Sequence, residues 1–260
     1  MTTVSIINLK GGTGKTVTAC NMAAILAGEH KKSVLLIDAD PQHNATDFFG
    51  VDAEACGGTT AGILDGFGDC WTDFVTETSW VGLDIVPSDI SLINCDIAAV
   101  SAQLNGSGLL RGFLDAVKDD EAYDFCLIDC PPSFTAASVS AIVASDVVII
   151  PVKVDAFALS GIAELAAQIA ALRRVQPSVR IGGALVTMWH NAEVVCQGEE
   201  LLRRSGIPVY KTTIRRTDKV DESTFARLPA HSYSKRCSAG QDYLRFVEEF
   251  LAMEGKSHEV

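Results

Sequence analysis

A short loop near the amino terminus carries residues suited to holding phosphate. The stretch NLKGGTGKT, from Asn8 to Thr16, ends in Gly14, Lys15 and Thr16, which match the end of the phosphate-binding pattern G-x-x-x-x-G-K-[ST]. In such a loop the backbone N–H groups approach the phosphates, the lysine neutralises phosphate charge and the hydroxyl can ligate Mg²⁺. The sequence therefore predicts a nucleotide site at this loop.

The loop departs from the usual pattern at its beginning. Leu9 stands where the first glycine is expected, and Lys10 beside it is a second lysine in a loop that needs only one. We predict that a continuous run of loop residues contacts the nucleotide. Its members are Lys10, Gly11, Gly12, Thr13, Gly14, Lys15, Thr16 and Val17.

Acidic residues end two later apolar runs. LLIDAD ends with Asp38 and Asp40, and FCLID ends with Asp129 before a double proline. Alternate residues of an extended strand share a face, so Asp38 and Asp40 could look into the same site, although a plain Asp-Pro turn is the alternative. One carboxylate can support the metal and the other can orient a water for attack on the γ-phosphate. An acid at the place of Asp129 matches the one that holds Mg²⁺ through water in P-loop enzymes.

These residues lie at the ends of apolar, β-rich runs that alternate with segments of helical period. We predict strands at 4–8, 33–40, 82–88, 124–132, 146–154, 180–189 and 208–214, and helices at 15–28, 108–118, 135–144, 160–175, 192–205 and 239–253. Such alternation indicates a mostly parallel sheet covered by helices on both faces, with ligands at the carboxyl ends of its strands. The prediction is one α/β P-loop domain over residues 1–260, with loop and short helices at 51–80.

The composition restricts the class of protein. With 48% hydrophobic residues, the 260-residue chain can bury a full core. No run of 18 or more apolar residues lacks charge or a Gly/Pro interruption, and no basic n-region opens the sequence, so we expect a cytoplasmic protein. The eight cysteines form no C-x-x-C pair and are predicted to be reduced, structural thiols.

The charge is unevenly distributed along the chain. The net charge of −12 at first disfavours nucleic acid, because phosphate contacts need local positive charge. Segment 203–236, however, has nine basic and three acidic residues, so it carries +6 and the remainder −18. This asymmetry favours a surface that faces a polyanion, with a solvated surface as the alternative. The candidate DNA-binding residues are Arg203, Arg204, Arg215, Arg216, Lys219, Arg227, Lys235 and Arg236.

As a set, the motifs KGGTGKT, DADPQHNAT, LIDCPPS, DVVIIPVKVDAFALSGI and LVTMW resemble the ParA family of partition ATPases, within the group that includes MinD and the nitrogenase iron protein. The resemblance covers nearly the whole chain. It implies ATP and Mg²⁺ as cofactors and an ATP-bound sandwich dimer, in which Lys10 crosses to the nucleotide of the other subunit. It also implies that Lys15 binds phosphate, Thr16 binds magnesium, Asp40 supports hydrolysis and Asp129 is the acid of the second switch.

The same resemblance implies partners and a location. ParA-like proteins bind DNA without sequence preference, associate with the nucleoid and move plasmid, chromosome or other cargo. A centromere-binding ParB-like protein stimulates their slow hydrolysis, and its basic segment would suit the acidic remainder of this surface. No helix-turn-helix domain is expected ahead of Val4.

The sequence departs from the family pattern after the phosphate loop and near the adenine. Val17 replaces a common threonine and keeps only its backbone N–H. The family's Ile-Pro-Arg-Asn segment near the adenine has Arg215 in place of proline here, and it aligns Arg216 and Thr217 as residues that contact the base.

The DNA positions also depart from the pattern. Ala192 and Glu193 stand where some members have a DNA-binding basic residue, whereas Lys219 matches a second such position. The case for DNA therefore depends on segment 203–236 more than on a full motif match.

Three other functions remain as alternatives. A MinD-like membrane-bound regulator would end in a basic amphipathic helix, but acids such as Glu248 and Glu249 lie on the polar side of the terminal segment, so we expect that helix to pack on the domain. An iron–sulfur carrier would need paired cysteines, which Cys126 and Cys130 on one strand do not provide. A nucleotide sensor without turnover would not need Asp40.

Overall fold

The computed structural model describes residues 1–66, 68, 70–95 and 109–257. Its strands are β1 (Thr2–Ile6), β2 (Val34–Asp38), β3 (Thr76–Glu77), β4 (Leu83–Val86), β5 (Phe125–Asp129), β6 (Val147–Lys153) and β7 (Arg180–Thr187). They form one seven-stranded sheet in the order β3-β4-β2-β5-β1-β6-β7. Every neighbouring pair is parallel except β3 with β4. The predicted α/β class is confirmed.

Helices connect the strands. They are α1 (Lys15–Gly28), α2 (Asn44–Phe48), α3 (Thr60–Gly66), α4 (Leu109–Asp119), α5 (Ala136–Ala144), α6 (Ala158–Leu172), α7 (Glu193–Arg203), α8 (Asp218–Phe225), α9 (Ala230–Tyr233) and α10 (Ser238–Ser257). Short 3₁₀ turns occupy Ala53–Ala55 and Trp71–Phe74. Among the described residues, none of these helices combines the length and apolarity that crossing a membrane requires.

Alternate side chains of the central strands enter two hydrophobic clusters. In β2, Val34 and Leu36 belong to the cluster that contains α1 and α10, whereas Leu35 and Ile37 belong to the one that contains α4, α5 and α6. Successive residues of a strand point to opposite faces, so helices cover both faces of the sheet. All four of these side chains are fully buried.

The terminal helix α10 packs on the domain, as the sequence predicts. Its residues Phe246 and Phe250 are fully buried, and the Phe246 ring makes an edge contact with Tyr210 at 4.9 Å between centroids. The hydroxyl of Tyr243 lies 3.2 Å from that of Thr18, so α10 is also joined to the helix that follows the phosphate loop.

The predicted strand at 208–214 is wrong. This segment makes only isolated parallel bridges to the β7 region, at Val209 with Ala184 and at Arg215 with Trp189. Between the bridges the backbone N–H groups of 211 and 212 donate to the Glu249 carboxylate of α10, at 2.7 and 2.9 Å. A side chain thus satisfies donors that a strand would direct into the sheet.

Four smaller elements were missed. The two-residue strand β3 lies at 51–80, where the sequence predicts loop and short helices, and it pairs antiparallel at the sheet edge. Helices α2, α8 and α9 were not predicted, since all three are short and none has a clear apolar period. The eight cysteines are all free thiols.

Candidate nucleotide site

The predicted phosphate loop and two of the predicted acids meet at one edge of the sheet. Asp129 at the end of β5 is in register with Ile6 of β1 on one side and with Asp38 of β2 on the other. The loop follows β1 directly. Because all three strands are parallel, their carboxyl ends place the loop between β1 and α1 beside both carboxylates.

The loop backbone presents free N–H donors. Gly12 and Gly14 have φ values of 68° and 81°, in the left-handed region that glycine adopts without strain. Gly14 caps α1, and no side chain caps the first turn of that helix. The Thr187 hydroxyl donates to the carbonyl of Thr13 at 2.8 Å and anchors the loop to β7. This helix N-terminus is therefore suited to bind an anion.

The two lysines of the loop point to different partners. The Lys15 ammonium turns into its own loop, where it donates to the Lys10 carbonyl at 3.3 Å. Burial lowers the pKa of Lys15, and the carboxylates of Asp129 and Asp40 oppose that shift. The Lys10 ammonium instead pairs with Asp155, just after β6, and its side chain is 37% exposed. It also lies 6.0 Å from the centre of the exposed Phe157 ring.

Asp129 is a fully buried acid at the end of β5. Both of its carboxylate oxygens are inaccessible and unpaired within the described part of the chain. Burial raises the pKa of Asp129, and the neighbouring Asp38 raises it further, while the nearby Thr16 hydroxyl and Lys15 ammonium lower it. An orphaned carboxylate near a hydroxyl at the end of a phosphate loop fits the oxygen-ligand chemistry of Mg²⁺.

Asp38 is also buried, but its oxygens are occupied. One oxygen accepts the backbone N–H and the hydroxyl of Thr46, both at 2.8 Å, and the other accepts the N–H of Asp40 at 3.2 Å. Burial raises the pKa of Asp38 to about 6, against the effect of the Thr46 bonds. Asp38 therefore fixes the turn that carries Asp40, and its role at a metal stays a prediction. Asp40 itself accepts the N–H of Gln42 at 2.9 Å.

A cavity of about 260 Å³ adjoins the loop and could admit a nucleoside. Gly14 and Val17 line one side, and the predicted base-contacting residues Arg216 and Thr217 line another. Tyr243 of α10 also lines it, a residue that the motifs gave no means of finding because it lies far along the chain. The structure thus brings the predicted base-contacting residues to the phosphate loop.

The predicted DNA-binding residues do not form one free basic surface. Half of them are in ion pairs: Arg203 with Glu199, Arg204 with Glu200, Arg215 with Asp242 and Lys219 with Glu222. Three of these acids lie outside segment 203–236, so the net charge of that segment overstates its positive potential. Arg216 lines the nucleoside cavity instead.

The other predicted DNA-binding residues are not members of these ion pairs. Arg227 lines a separate cavity of about 450 Å³ with Thr16, Asp47 and Phe225. Lys235 and Arg236 are exposed, and neither makes an ion pair with any residue that the structure describes. Whether any of these residues touches DNA stays a prediction.

The alternating sheet, the phosphate loop and the acids at the strand ends define the class of protein as a P-loop ATPase. A domain family described as an AAA domain matches residues 1–181. The chromosome partitioning protein ParA of Caulobacter vibrioides is 32% identical over 254 residues, covering 96% of this chain and 94% of its own. The sporulation initiation inhibitor protein Soj of Bacillus subtilis is 34% identical over 258 residues, covering 96% and 98%. The chain belongs to the ParA family of partition ATPases.

Solved structures show the same fold. Apo McdA from Cyanothece has a TM-score of 0.85 at 22% identity, covering 96% of this chain and 99% of its own. The septum site-determining protein MinD from Pyrococcus horikoshii, in complex with Mg-ADP, has a TM-score of 0.77 at 22% identity and covers 95% of each chain. These likenesses extend over the full sheet and its helices.

Proposed function

We propose that this protein is an ATP-driven dimerisation switch that binds DNA without sequence preference and positions a plasmid, chromosome or other cargo. ATP binding joins two subunits, and the dimer holds the nucleoid. A ParB-like partner stimulates hydrolysis, which releases the subunits. The relatives named as chromosome partitioning proteins support the biological role.

The divergence of the two loop lysines is the observation that carries the proposal. Lys15 lies inside its own phosphate loop, whereas Lys10 extends away from that loop to a half-exposed position beside Asp155. A lysine that served its own nucleotide would have no reason to point outward. One that serves a neighbouring subunit must be reachable from outside. Lys10 therefore fits a role at the nucleotide of the other subunit.

The remaining site residues have distinct tasks. Bound Mg²⁺ would neutralise phosphate charge, and Thr16 and Asp129 are the residues that would hold it. Asp40 orients the attacking water, and the bonds from Asp38 and Thr46 fix the turn on which Asp40 stands. Lys15 and the N–H groups at the start of α1 bind the phosphates. Hydrolysis stays slow until the partner completes this arrangement.

The proposal can be tested by following oligomeric state and DNA binding together. With ATP and Mg²⁺, sedimentation should show a dimer that retains non-specific duplex DNA, and with ADP a monomer that releases it. Asp40→Ala should hold the dimer on DNA while phosphate release is lost. A wild-type protein that stays monomeric at saturating ATP would overturn the switch. Adding the protein encoded beside it, as the candidate activator, should accelerate phosphate release.

A further inference from the structure

A third concave site shares Arg215 with the lining of the nucleoside cavity. It has a volume of about 310 Å³ and opens to the surface. We call it the basic notch; its lining residues are Trp189, Lys211, Thr212, Thr213, Arg215, Asp242 and Arg245. Lys211 and Arg245 were not among the DNA-binding residues predicted from the sequence.

One buried acid organises two of the arginines. Asp242 of α10 has a side chain only 2% exposed, and its carboxylate accepts Arg215 Nε and Nη2 at 2.8 Å each. The same carboxylate also pairs with Arg245 one turn along the helix. Two guanidinium groups thus share one negative charge, and the cluster of three side chains keeps a net positive charge. Their orientation is fixed before any ligand arrives.

Lys211 adds a positive charge that forms no ion pair in the part of the chain that the structure describes. The Glu249 carboxylate accepts the backbone N–H groups of Lys211 and Thr212 at 2.7 and 2.9 Å, so its negative charge offsets part of the positive charge of the notch. Three cations against two carboxylates leave the notch with a net positive charge. The Lys211 side chain is exposed and makes none of the ion pairs among the described residues. Its ammonium group is available to an external anion.

Neutral side chains complete the lining of the notch, namely Thr212, Thr213 and Trp189. The indole Nε1 of Trp189 is inaccessible and has no hydrogen-bonding partner among the described residues, so it is not counted as a donor to an outside ligand. An ammonium and two guanidinium groups supply the charged donors for a phosphate oxygen, against the two carboxylates of Asp242 and Glu249.

We propose that the basic notch binds a phosphate of the DNA backbone. This inference rests on the proposed function, because it names where the DNA of that function is held. A phosphodiester suits the notch since the site is open to the surface and its three cations are exposed, so a polymer can cross it. Arg215 lines both the notch and the nucleoside cavity, and the Arg216 N–H donates to the Trp189 carbonyl at 2.8 Å. DNA and nucleotide would therefore contact sites that share Arg215.

The test uses Lys211→Ala and Arg245→Ala in the full chain, with ATP and a duplex of arbitrary sequence. Dissociation constants are measured between about 50 and 200 mM salt, where each lost phosphate contact lowers the slope of log K against log salt by about 0.9. Both variants should show that loss and bind the duplex more weakly at low salt. Arg174→Ala is the matched control, an exposed arginine beyond the end of α6, and its slope should equal that of the wild type.

The outcomes separate the notch from the proposed function. A wild type that dimerises with ATP but binds no duplex overturns the DNA role and the notch with it. A wild type that binds duplex while both variants keep its salt slope overturns the notch and leaves the switch standing. Lys211→Ala removes no side-chain hydrogen bond or ion pair among the described residues. It therefore tests the inference even if Arg245→Ala disturbs Asp242. ATP-dependent dimerisation should be unchanged in both variants.

Discussion

Lys10 and Asp155 form an ion pair within a single subunit, at the edge of the nucleotide site. Their side chains are 37% and 33% exposed. The Lys10 ammonium holds the pKa of Asp155 below its usual range. If Lys10 is donated to the nucleotide of a second subunit, this pair must open first. In that case Asp155 would compete with the neighbouring nucleotide for the same ammonium group.

Removing that competitor should favour the dimer. Exposed ion pairs contribute up to about 1 kcal/mol, so Asp155→Ala should tighten ATP-dependent dimerisation by about two- to fivefold. Sedimentation over a concentration series measures the change. Asp124→Ala is the control, since Asp124 pairs with Lys32 at similar exposure far from the loop. If the Asp155→Ala dimer dissociates at the same concentration as the wild-type dimer, or at a higher one, Asp155 does not restrain Lys10.

Asp129 should destabilise the nucleotide-free protein. Its raised pKa means that the folded state binds a proton more tightly than the unfolded state, so stability falls as pH rises from about 4 through the folded pKa. Asp129→Asn should therefore be more stable at neutral pH, by on the order of 1–3 kcal/mol, with the gain shrinking on acidification. Denaturant unfolding across pH measures this. The Asp129→Asn variant should also lose the stabilisation that Mg²⁺ with ATP gives the wild type.

Thr46 should matter more than its position in a short helix suggests. Its hydroxyl donates to Asp38 at 2.8 Å and accepts the N–H of Ser88 at 3.0 Å. Thr46→Val removes one of the donors to Asp38 and takes away the acceptor of the Ser88 N–H, so it should cost about 1–3 kcal/mol of stability and lower phosphate release. Thr3→Val is the matched control, because the buried Thr3 hydroxyl has no partner among the residues that the structure describes; this variant should be neutral or stabilising. Equal losses in the two variants would contradict this role.

Unpaired basic residues should contribute to DNA binding more than paired ones. Lys235→Ala with Arg236→Ala should reduce the salt slope by about 0.9 for each phosphate contact that is lost. Arg203→Ala with Arg204→Ala should change it less, since Glu199 and Glu200 already neutralise those residues. A larger effect from the paired set would place the DNA surface on α7.

The placement of the phosphate loop beside Asp38 and Asp129 could be predicted from the sequence because each motif is local. Gly14, Lys15 and Thr16 are consecutive, and Asp38 and Asp129 end strands with clear apolar patterns. Parallel pairing then brings these separate strand ends together without further information.

Contacts between distant segments were harder to predict. The partner of Lys10 lies 145 residues away along the chain. The residue pattern of 208–214 predicts a strand, but Glu249 of α10 accepts backbone N–H groups in the middle of this segment. The positive charge of 203–236 was overestimated for the same reason, since Asp242 lies outside that segment. Pairings of this kind depend on tertiary packing, which local sequence patterns do not predict.

The role of Lys10 in the other subunit is tested most directly by Lys10→Ala, with ATP affinity and oligomeric mass measured on the same sample. Lys32→Ala is the control for loss of one exposed lysine charge. We predict that Lys10→Ala binds ATP as a monomer with wild-type affinity and stays monomeric at concentrations where the wild type and Lys32→Ala dimerise. An intact ATP-bound dimer of Lys10→Ala would contradict the role of Lys10 at the nucleotide of the other subunit.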